Sequence, residues 1–528
     1  MNYHHRYSDP EIVETCLVGT GGFGQSFASQ SRFMPLINVR VLVDRDCDKT
    51  IALLGHLNVP CRDIAICTSA KEAWTAWLAG QYVVSDDVAH VVDLPFSVLI
   101  EATGHPEAGA RHARLAVEAG HHVALVSKEV DSVVGAGLAH EANARGVVVT
   151  PVDGDQPSLL IGLITWAQIL GLDIISAGKS SEYDFVFDAA TNILSCNGIG
   201  HHCPDMAKLM DAEDRQMADL AAARSAAASA FRQRAVPDLC EMGLVANATG
   251  FGFDRPDLHA PIARIPEVPA MFETVDNGGL FSSGKVLDVF HCLRRPDEVS
   301  LAGGVFVIVR CHDAGVWDML AEKGHIVNAQ GSAAMLSIPR HLLGLEAATT
   351  ILDAALLNES SGASIPMQSV ELVARATAEL PAGHVLEMGG HHHTIENVEA
   401  DLLDAEPLSG SSPAPFYLAA NKRLCRTVAA GAHILMDDLE TDENSELCSL
   451  RRKHDQTVIK RAEQQEERAM KSRGPAETGH IPAQPMVRQT VAELAYPGGK
   501  KDEEVCSDTG GNLERVTCHG RRLSGQNH

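Results

Sequence analysis

The chain has 528 residues and no apolar run long enough to span a membrane. Its opening, Met-Asn-Tyr-His-His-Arg-Tyr, lacks the apolar core of a secretory signal, so a cytoplasmic location is expected. Positive charge is scarce. Lys and Arg number 43 against 69 Asp and Glu, a formal net charge of −26. That balance excludes a broad nucleic-acid-binding surface, while leaving room for a local basic pocket that takes a phosphorylated substrate. The 13 cysteines are odd in number and scattered, with no C-x-x-C pair, which fits reduced thiols better than a disulfide framework. No internal repeat is present. What the chain does have is 45% apolar content and length for about two to four domains with a sizeable core.

Residues 12–24, Ile-Val-Glu-Thr-Cys-Leu-Val-Gly-Thr-Gly-Gly-Phe-Gly, organise the rest. The apolar run Ile12 to Val18 predicts a buried strand that breaks at Gly19. Gly19, Gly21 and Gly24 then fall at the G-x-G-x-x-G spacing, and a helix is expected from Gln25 to about Phe33. The next strand, Val39 to Val43, ends in Asp44. Each part has a role with a dinucleotide. Gly19 permits the tight turn, Gly21 lets the backbone approach the pyrophosphate, and Gly24 lets helix and strand pack closely. The pyrophosphate would sit on the helix N-terminus and Asp44 would reach the ribose. The candidate cofactor-binding residues are Gly19, Thr20, Gly21, Gly22, Phe23, Gly24, Asp44, Arg45, Thr103 and Gly104. A carboxylate at 44 favours the free ribose hydroxyl of NAD, while Arg45 beside it can take the phosphate of NADP, so both cofactors stay open.

Strand and helix keep alternating after Asp44. Strands are predicted at 64–67, 97–101, 122–126 and 147–150, with helices at 49–57, 71–78 and 106–118, the last closed by Gly120. This pattern predicts an α/β fold with a Rossmann-type, doubly wound, mostly parallel sheet. Ligands bind beyond the carboxyl ends of such strands, so residues 19–24, 102–104, 127–131 and 151–156 are expected to converge on one crevice.

Those segments supply the candidate chemistry. Lys128, just past a strand, can polarise a carbonyl with its ammonium; the bland alternative is a solvated loop lysine. Glu129 and Asp131 can orient Lys128 or hold a metal, or be ordinary surface charge. Asp153 and Asp155 bracket a glycine and can bind a divalent cation or serve as acid and base, unless Asp155 only caps the helix that Pro157 opens. Lys179 follows a short strand, 174–177, and is a further phosphate or carbonyl partner. The catalytic candidates are therefore Lys128, Asp155 and Lys179.

Beyond 182 the alternation weakens. Residues 206–231 are expected to be helical, 250–300 loops and short strands, 303–310 a strand, and 341–357 a helix. Two histidine clusters, Cys196-x4-His201-His202-Cys203 and His391-His392-His393, carry soft ligands without a common zinc spacing, and read better as polar loops. The tail from about 461 is polar and irregular, and disorder is expected there.

Several short stretches resemble a known family. Val-Gly-Thr-Gly-Gly-Phe-Gly, Glu-Ala-Thr-Gly-His-Pro-Glu-Ala-Gly-Ala with Glu-Ala-Gly-His-His-Val after it, and Gly154-Asp155-Gln156-Pro157 look like the homoserine-dehydrogenase-like oxidoreductases. More narrowly, with Val245 to Gly250 and His341 to Glu346, the chain resembles the 1-deoxy-D-xylulose 5-phosphate reductoisomerase-like branch over roughly residues 10–455. Residues 366–440 are similar to that branch's β-rich module of the SAF type. The residues divide into 1–181, 182–365 (mixed α+β), 366–440 (β-rich) and 441–528, the last a helical end and a tail expected to be disordered. The resemblance implies that the first three are a Rossmann domain, a catalytic domain that also mediates dimerisation, and the module; the tail has no counterpart in it. The resemblance also implies a homodimer, a small-molecule substrate and an NAD(P)H-dependent reaction. In the founding activity a ketose phosphate is rearranged and reduced with NADPH, assisted by a divalent cation. It places Lys128 near the nicotinamide and substrate, and Gly19, Gly21 and Gly24 in the cofactor loop. A homoserine-type or polyol dehydrogenase without rearrangement, and a non-catalytic NAD(P)-binding regulator, are the alternatives.

Overall fold

The computed structural model describes residues 3, 5–7, 11–211, 215–390, 393–440, 442 and 444–472, with side chains to 460. The expected disordered tail lies outside these residues. Seven strands form a parallel sheet: β1 (Val13–Val18), β2 (Ile37–Val43), β3 (Ile64–Ile66), β4 (Tyr82–Ser85), β5 (Val98–Glu101), β6 (His122–Leu125) and β7 (Val149–Pro151), in the order β3-β4-β2-β1-β5-β6-β7. Strand order reverses at β1, between β2 and β5. That is where a doubly wound sheet opens a crevice at its carboxyl edge.

Side-chain alternation puts the sheet between two apolar layers. Cys16, Val18 and Leu99 face one layer, which holds Ala73 and Ala76 of α3 (Ala70–Leu78), Ala110, Ala113 and Ala116 of α4 (Pro106–Ala119), and Leu138 and Ala142 of α6 (Ala136–Ala144). Val13, Leu17 and Ile100 face the other, with Phe27 of α1 (Gly22–Ser31), Leu53 and Leu54 of α2 (Cys47–His56), and Ala347 and Ile351 of α12 (Ala347–Leu352). The helix expected at 341–357 therefore starts later than its pattern suggests and packs back on the parallel sheet. Between β6 and α6 runs a short α5 (Lys128–Val130) and a π turn over Asp131–Gly135.

The second sheet is mixed. Its spine is β8 (Ile174–Asp188), paired in parallel with β12 (Val286–Arg294) and antiparallel with β13 (Val305–Arg310). The expected strand at 174–177 thus runs on to Asp188 and belongs to this sheet, whose polar centre is shielded by its neighbours on both sides. β15 (Ala333–Ile338) and β14 (Ile326–Val327) extend it, as does the hairpin of β9 (Ile193–Cys196) and β10 (Ile199–His202); β11 (Ile262–Ala263) pairs with β12. That hairpin replaces the polar loop expected around the first histidine cluster. Asn197 and Gly198 turn it with φ of 50° and 78°, as a two-residue I′ turn requires. Helices α7 (Gln156–Ile169), α8 (Met217–Ala227), α9 (Val236–Thr249), α10 (Val268–Met271) and α11 (Ala314–Glu322) accompany this sheet.

A four-stranded antiparallel sheet follows, β16 (Val370–Ala376), β19 (Val398–Asp404), β18 (Thr394–Ile395) and β17 (Met388–Gly389), in that order, with the short α13 (Phe416–Ala419) beside it. The last helix, α14 (Glu446–Ser472), ties this module to the parallel sheet. Arg451, buried, pairs with Glu371 and with Asp455 at 2.9 Å, while Arg114 of α4 holds Glu446 at 2.5 Å. No helix among the described residues is long and apolar enough to cross a membrane.

Candidate active site

The glycine loop is shaped by close approaches. Gly19 sits at φ 94°, and a Cβ there would lie 2.6 Å from the Ala102 carbonyl oxygen. A Cβ on Gly24 would lie 2.1 Å from the Gly19 carbonyl oxygen. Neither position tolerates a side chain. Gly21, the N-cap of α1, is different: a Cβ there would meet nothing within 4 Å, so its backbone is open to an incoming group. No acidic residue stands in the first turn of α1, so the positive end of that helix is uncompensated within its own sequence. Gly22 is exposed and Phe23 half-buried.

Asp44 follows β2 and closes the loop from the other side. Its Oδ2 accepts hydrogen bonds from the Thr20 amide at 2.8 Å and the Thr20 hydroxyl at 2.6 Å. Burial opposes its ionisation, but these bonds outweigh it and hold the carboxyl below its ordinary range. Arg45 is exposed. Past β5, the Thr103 hydroxyl donates to buried Glu101 at 2.5 Å, and the Gly104 amide donates to the Ser127 hydroxyl at 2.8 Å. The latter bond joins the ends of β5 and β6 at the same sheet edge.

Lys128 is the third residue after β6 and opens α5. Its Nζ contacts Glu241 and stands 3.2 Å from Asp155 Oδ2. Asp155 also caps α7, its Oδ1 accepting from the Gln156 amide at 2.9 Å, so the capping role and the contact with Lys128 coexist. Lys179, at the middle of β8, reaches the other oxygen of Glu241 and lies 2.8 Å from Asp238 Oδ1. The three sequence candidates thus come together: Lys128 pairs directly with Asp155 and is joined to Lys179 through Glu241. Burial opposes both lysine charges, yet the carboxylates outweigh it and raise both ammonium groups above the usual lysine range. Burial likewise opposes ionisation of Glu241, but Lys128 and Lys179 hold its carboxyl down at about 2.

These groups line a cavity of about 210 Å3 with Glu129, Glu182, Tyr183, Ala235, Pro237 and His393. Glu129 is buried; its Oε1 is 3.3 Å from His393 Nε2, and its Oε2 has no hydrogen-bond partner among the described residues. Burial pushes its carboxyl up to about 7. Asp131 is turned away into the π turn over Gly135, and burial raises it to about 7 as well. Asp153 is hydrogen-bonded to the Thr349 hydroxyl at 2.6 Å rather than to Lys128.

Sequence reasoning missed Asp238, Glu241 and His393 as members of this cavity. The first two left a signal: two acids three apart, on one face of a helix that is otherwise apolar, Val-Pro-Asp-Leu-Cys-Glu-Met-Gly-Leu-Val. His393 left none, being a loop residue of the four-stranded module. Its two neighbours, His391 and His392, lie outside the described residues. In the other cluster Cys196 and Cys203 are buried, and the Cys203 thiol bonds the Ala227 carbonyl oxygen at 3.3 Å. Among the described residues no group of three or more His, Cys, Asp or Glu is arranged to hold a metal ion.

Residues 154–347 match the family model described as oxidoreductase DRL, catalytic domain. That model describes the catalytic domain of an oxidoreductase and matches less than half of this chain. Among solved structures it is similar to a DOX-P reductoisomerase in complex with NADPH, fosmidomycin and magnesium, at 17% identity over 32% of this chain and 45% of that one, TM-score 0.25. It is also similar to 1-deoxy-D-xylulose 5-phosphate reductoisomerase from Zymomonas mobilis in complex with NADPH, at 16% identity over 33% and 46%, TM-score 0.25. An oxidoreductase from Bacillus cereus aligns at 14% identity over 66% and 89%, TM-score 0.31. The chain spans about half the length of the two reductoisomerases. Scores of this size transfer no activity to this chain. No curated protein matches it.

Proposed function

We propose that the chain is an NAD(P)-dependent oxidoreductase acting on a small oxygenated carbonyl compound. The observation that supports this most is the position of Lys128 at the carboxyl edge of the parallel sheet whose first turn is the glycine loop. The loop fits a dinucleotide on this chain's own geometry: Gly19 and Gly24 have no room for a Cβ, while the Gly21 backbone and the end of α1 stay open. A bound nicotinamide supplies or removes the hydride. Lys128 polarises the carbonyl and stabilises the charge that develops on its oxygen. Lys128 is 19% exposed and Lys179 only 2%, so Lys128 is the ammonium that meets substrate. Lys179 acts behind it, fixing the second oxygen of Glu241. Asp155 orients Lys128 and caps α7. Thr103 and Gly104 line the approach to the loop.

A sugar-phosphate reductoisomerase of the 1-deoxy-D-xylulose 5-phosphate type is the sharpest form of this reading. One observation favours the second form, a homoserine-type or polyol dehydrogenase without rearrangement. Four carboxyl groups, Glu129, Glu182, Asp238 and Glu241, line the cavity with Lys128 and Lys179. An excess of acid disfavours a phosphate and suits a neutral or ammonium-bearing substrate. A divalent cation has no donor set ready for it here, because Asp155 and Glu241 contact Lys128, and Asp238 and Glu241 contact Lys179. The three-part organisation proposed is cofactor domain, catalytic domain and SAF-like module, with a homodimer as the working assembly.

The test is cofactor turnover by the purified protein. NADPH and NADH oxidation are followed with 1-deoxy-D-xylulose 5-phosphate, and NADP and NAD reduction with L-homoserine and with simple polyols. Turnover with one of these, lost in Lys128→Ala, supports the reading. Tight cofactor binding with no turnover of any of them would leave a non-catalytic regulator.

A further inference from the structure

The reaction proposed above moves a hydride, and the carbonyl oxygen must gain a proton when the carbon gains that hydride. Lys128 and Lys179 are poorly suited to give one, because the surrounding carboxylates hold both ammonium groups above their ordinary range. Another group in the cavity has the geometry for it. Glu129 follows Lys128 directly in α5 and lines the same cavity. Its side chain is 7% exposed, and one of its two oxygens, Oε2, has no hydrogen-bond partner among the described residues. A buried carboxyl oxygen left unpartnered costs stability, and such groups mark places where a ligand completes the bonding. The other oxygen lies 3.3 Å from His393 Nε2.

His393 comes from the four-stranded module, just before β18, at φ 50°. A histidine held in the left-handed region is strained, and here the strain carries its ring to Glu129. Its Nδ1 is 2.9 Å from the hydroxyl of Tyr417 in α13, a second residue of that module. With Tyr417 on Nδ1, Nε2 is the nitrogen that faces the carboxyl. His393 is 19% exposed, so the pair runs from a partly solvated ring to a buried acid.

We propose that Glu129 is the group that exchanges a proton with the substrate oxygen, and that His393, fixed by Tyr417, positions it and renews that proton. The inference rests on the oxidoreductase reading above. In the reducing direction the Glu129 O–H bond breaks at Oε2 as the substrate O–H bond forms, and the reduced nicotinamide dinucleotide supplies the hydride to carbon. The His393 imidazolium then passes its Nε2 proton to Oε1, rotation of the carboxyl about its Cγ–Cδ bond returns that proton to the substrate side, and the neutral ring regains a proton from solvent. In the oxidising direction every transfer reverses. The module built on β16–β19 is thereby part of the active site, not an appendage. The groups facing Glu129 are Lys128 beside it, Glu101 at the end of β5, Asp155 at the cap of α7, Cys240 and Glu241 of α9, and His393 and Tyr417. A burial-raised carboxyl titrating at about 7 is matched to proton exchange near neutrality.

Carbon-13 NMR of glutamate-labelled full-length protein, without cofactor, tests the coupling directly. Two glutamate carboxyls, those of Glu129 and Glu371, are expected to titrate near neutrality. The one that vanishes in Glu129→Gln should move up by at least about half a pH unit in His393→Ala, while the other stays in place. A midpoint unchanged in His393→Ala would overturn the pairing. Kinetics give the second readout, with whichever probe turns over. His393→Ala should lower kcat by about ten- to a hundredfold, shift the pH profile and leave KM nearly unchanged. Glu129→Gln should lower kcat further. Failure of the wild-type protein to bind NADPH or NADH would strike the oxidoreductase reading itself. Normal cofactor binding with unaltered kcat and pH profile in both variants would strike only this proposal.

Discussion

Lys128 and Lys179 reach the same carboxylate: each ammonium takes one oxygen of Glu241. One lysine comes from the edge of the parallel sheet, the other from the spine of the mixed sheet, and Glu241 lies on α9 between them. The bridge couples the parallel sheet to the mixed sheet through charge.

Glu241→Gln tests that bridge. Each lysine keeps a partner, Asp155 or Asp238, but the central anion is lost. Removing one partner of a buried ion pair costs about 3–5 kcal/mol, and a loss toward the lower end is expected in urea unfolding. The pH dependence has a definite sign. Glu241 titrates at about 2 in the folded chain against about 4.3 unfolded. Its contribution is complete above the unfolded value and disappears as pH falls toward 2, so the gap between wild type and variant should close on acidification over that window.

Lys128→Ala and Lys179→Met should separate catalysis from folding. The first removes the more exposed ammonium and is expected to cut kcat/KM by at least about a hundredfold while cofactor binding persists. The second leaves Asp238 and Glu241 buried beside a neutral side chain, and is expected to lower the unfolding midpoint markedly. Thermal scans and steady-state kinetics on both variants check this.

The glycine loop makes a contrasting pair. Gly24→Ala forces a Cβ to 2.1 Å from the Gly19 carbonyl oxygen and should destabilise the fold. Gly21→Ala meets nothing within 4 Å, so stability should stay within about 1 kcal/mol of wild type. Yet its methyl stands where a pyrophosphate would approach, and cofactor binding should fall. Isothermal titration of both variants with NADPH and NADH separates the two effects.

Asp131→Asn carries a pH signature of opposite sign to Glu241→Gln. Burial holds the folded Asp131 carboxyl at about 7, against about 3.9 unfolded. The folded state keeps a proton that the unfolded chain releases. Wild type should therefore lose stability relative to Asp131→Asn as pH rises from about 4 to about 7, with a constant gap above that. Unfolding midpoints across this range give the measurement.

The first βαβ unit was legible because every level agreed: an apolar run, glycines at a spacing that only close backbone contact requires, and a second run ending in an acid. Asp155 was legible as a cap because Pro157 follows it. β4 was missed because Tyr82–Ser85 is a four-residue strand next to the polar Asp86 and Asp87. The length of β8 was hidden by Lys179, Ser180, Ser181 and Glu182. Those residues look like a loop in isolation and become strand only when β12 and β13 pair on both sides. Glu241 was invisible as a site residue for a related reason. Its partners are far away in sequence, and periodicity along α9 reports burial without saying what is buried with it. His393 depends on the packing of a separate module, which no local pattern encodes.

The central claim is that the open glycine loop binds a nicotinamide dinucleotide. The most direct measurement is a thermal-unfolding scan of the purified protein with NADPH, with NADH and with neither. A ligand at a hundred times its dissociation constant stabilises by about 2.7 kcal/mol, which moves the midpoint by several degrees. The account predicts an upward shift with at least one cofactor: with NADPH if Arg45 takes the ribose phosphate, with NADH if Asp44 governs the choice. No shift with either would reduce Gly19, Gly21 and Gly24 to a structural turn and contradict the account.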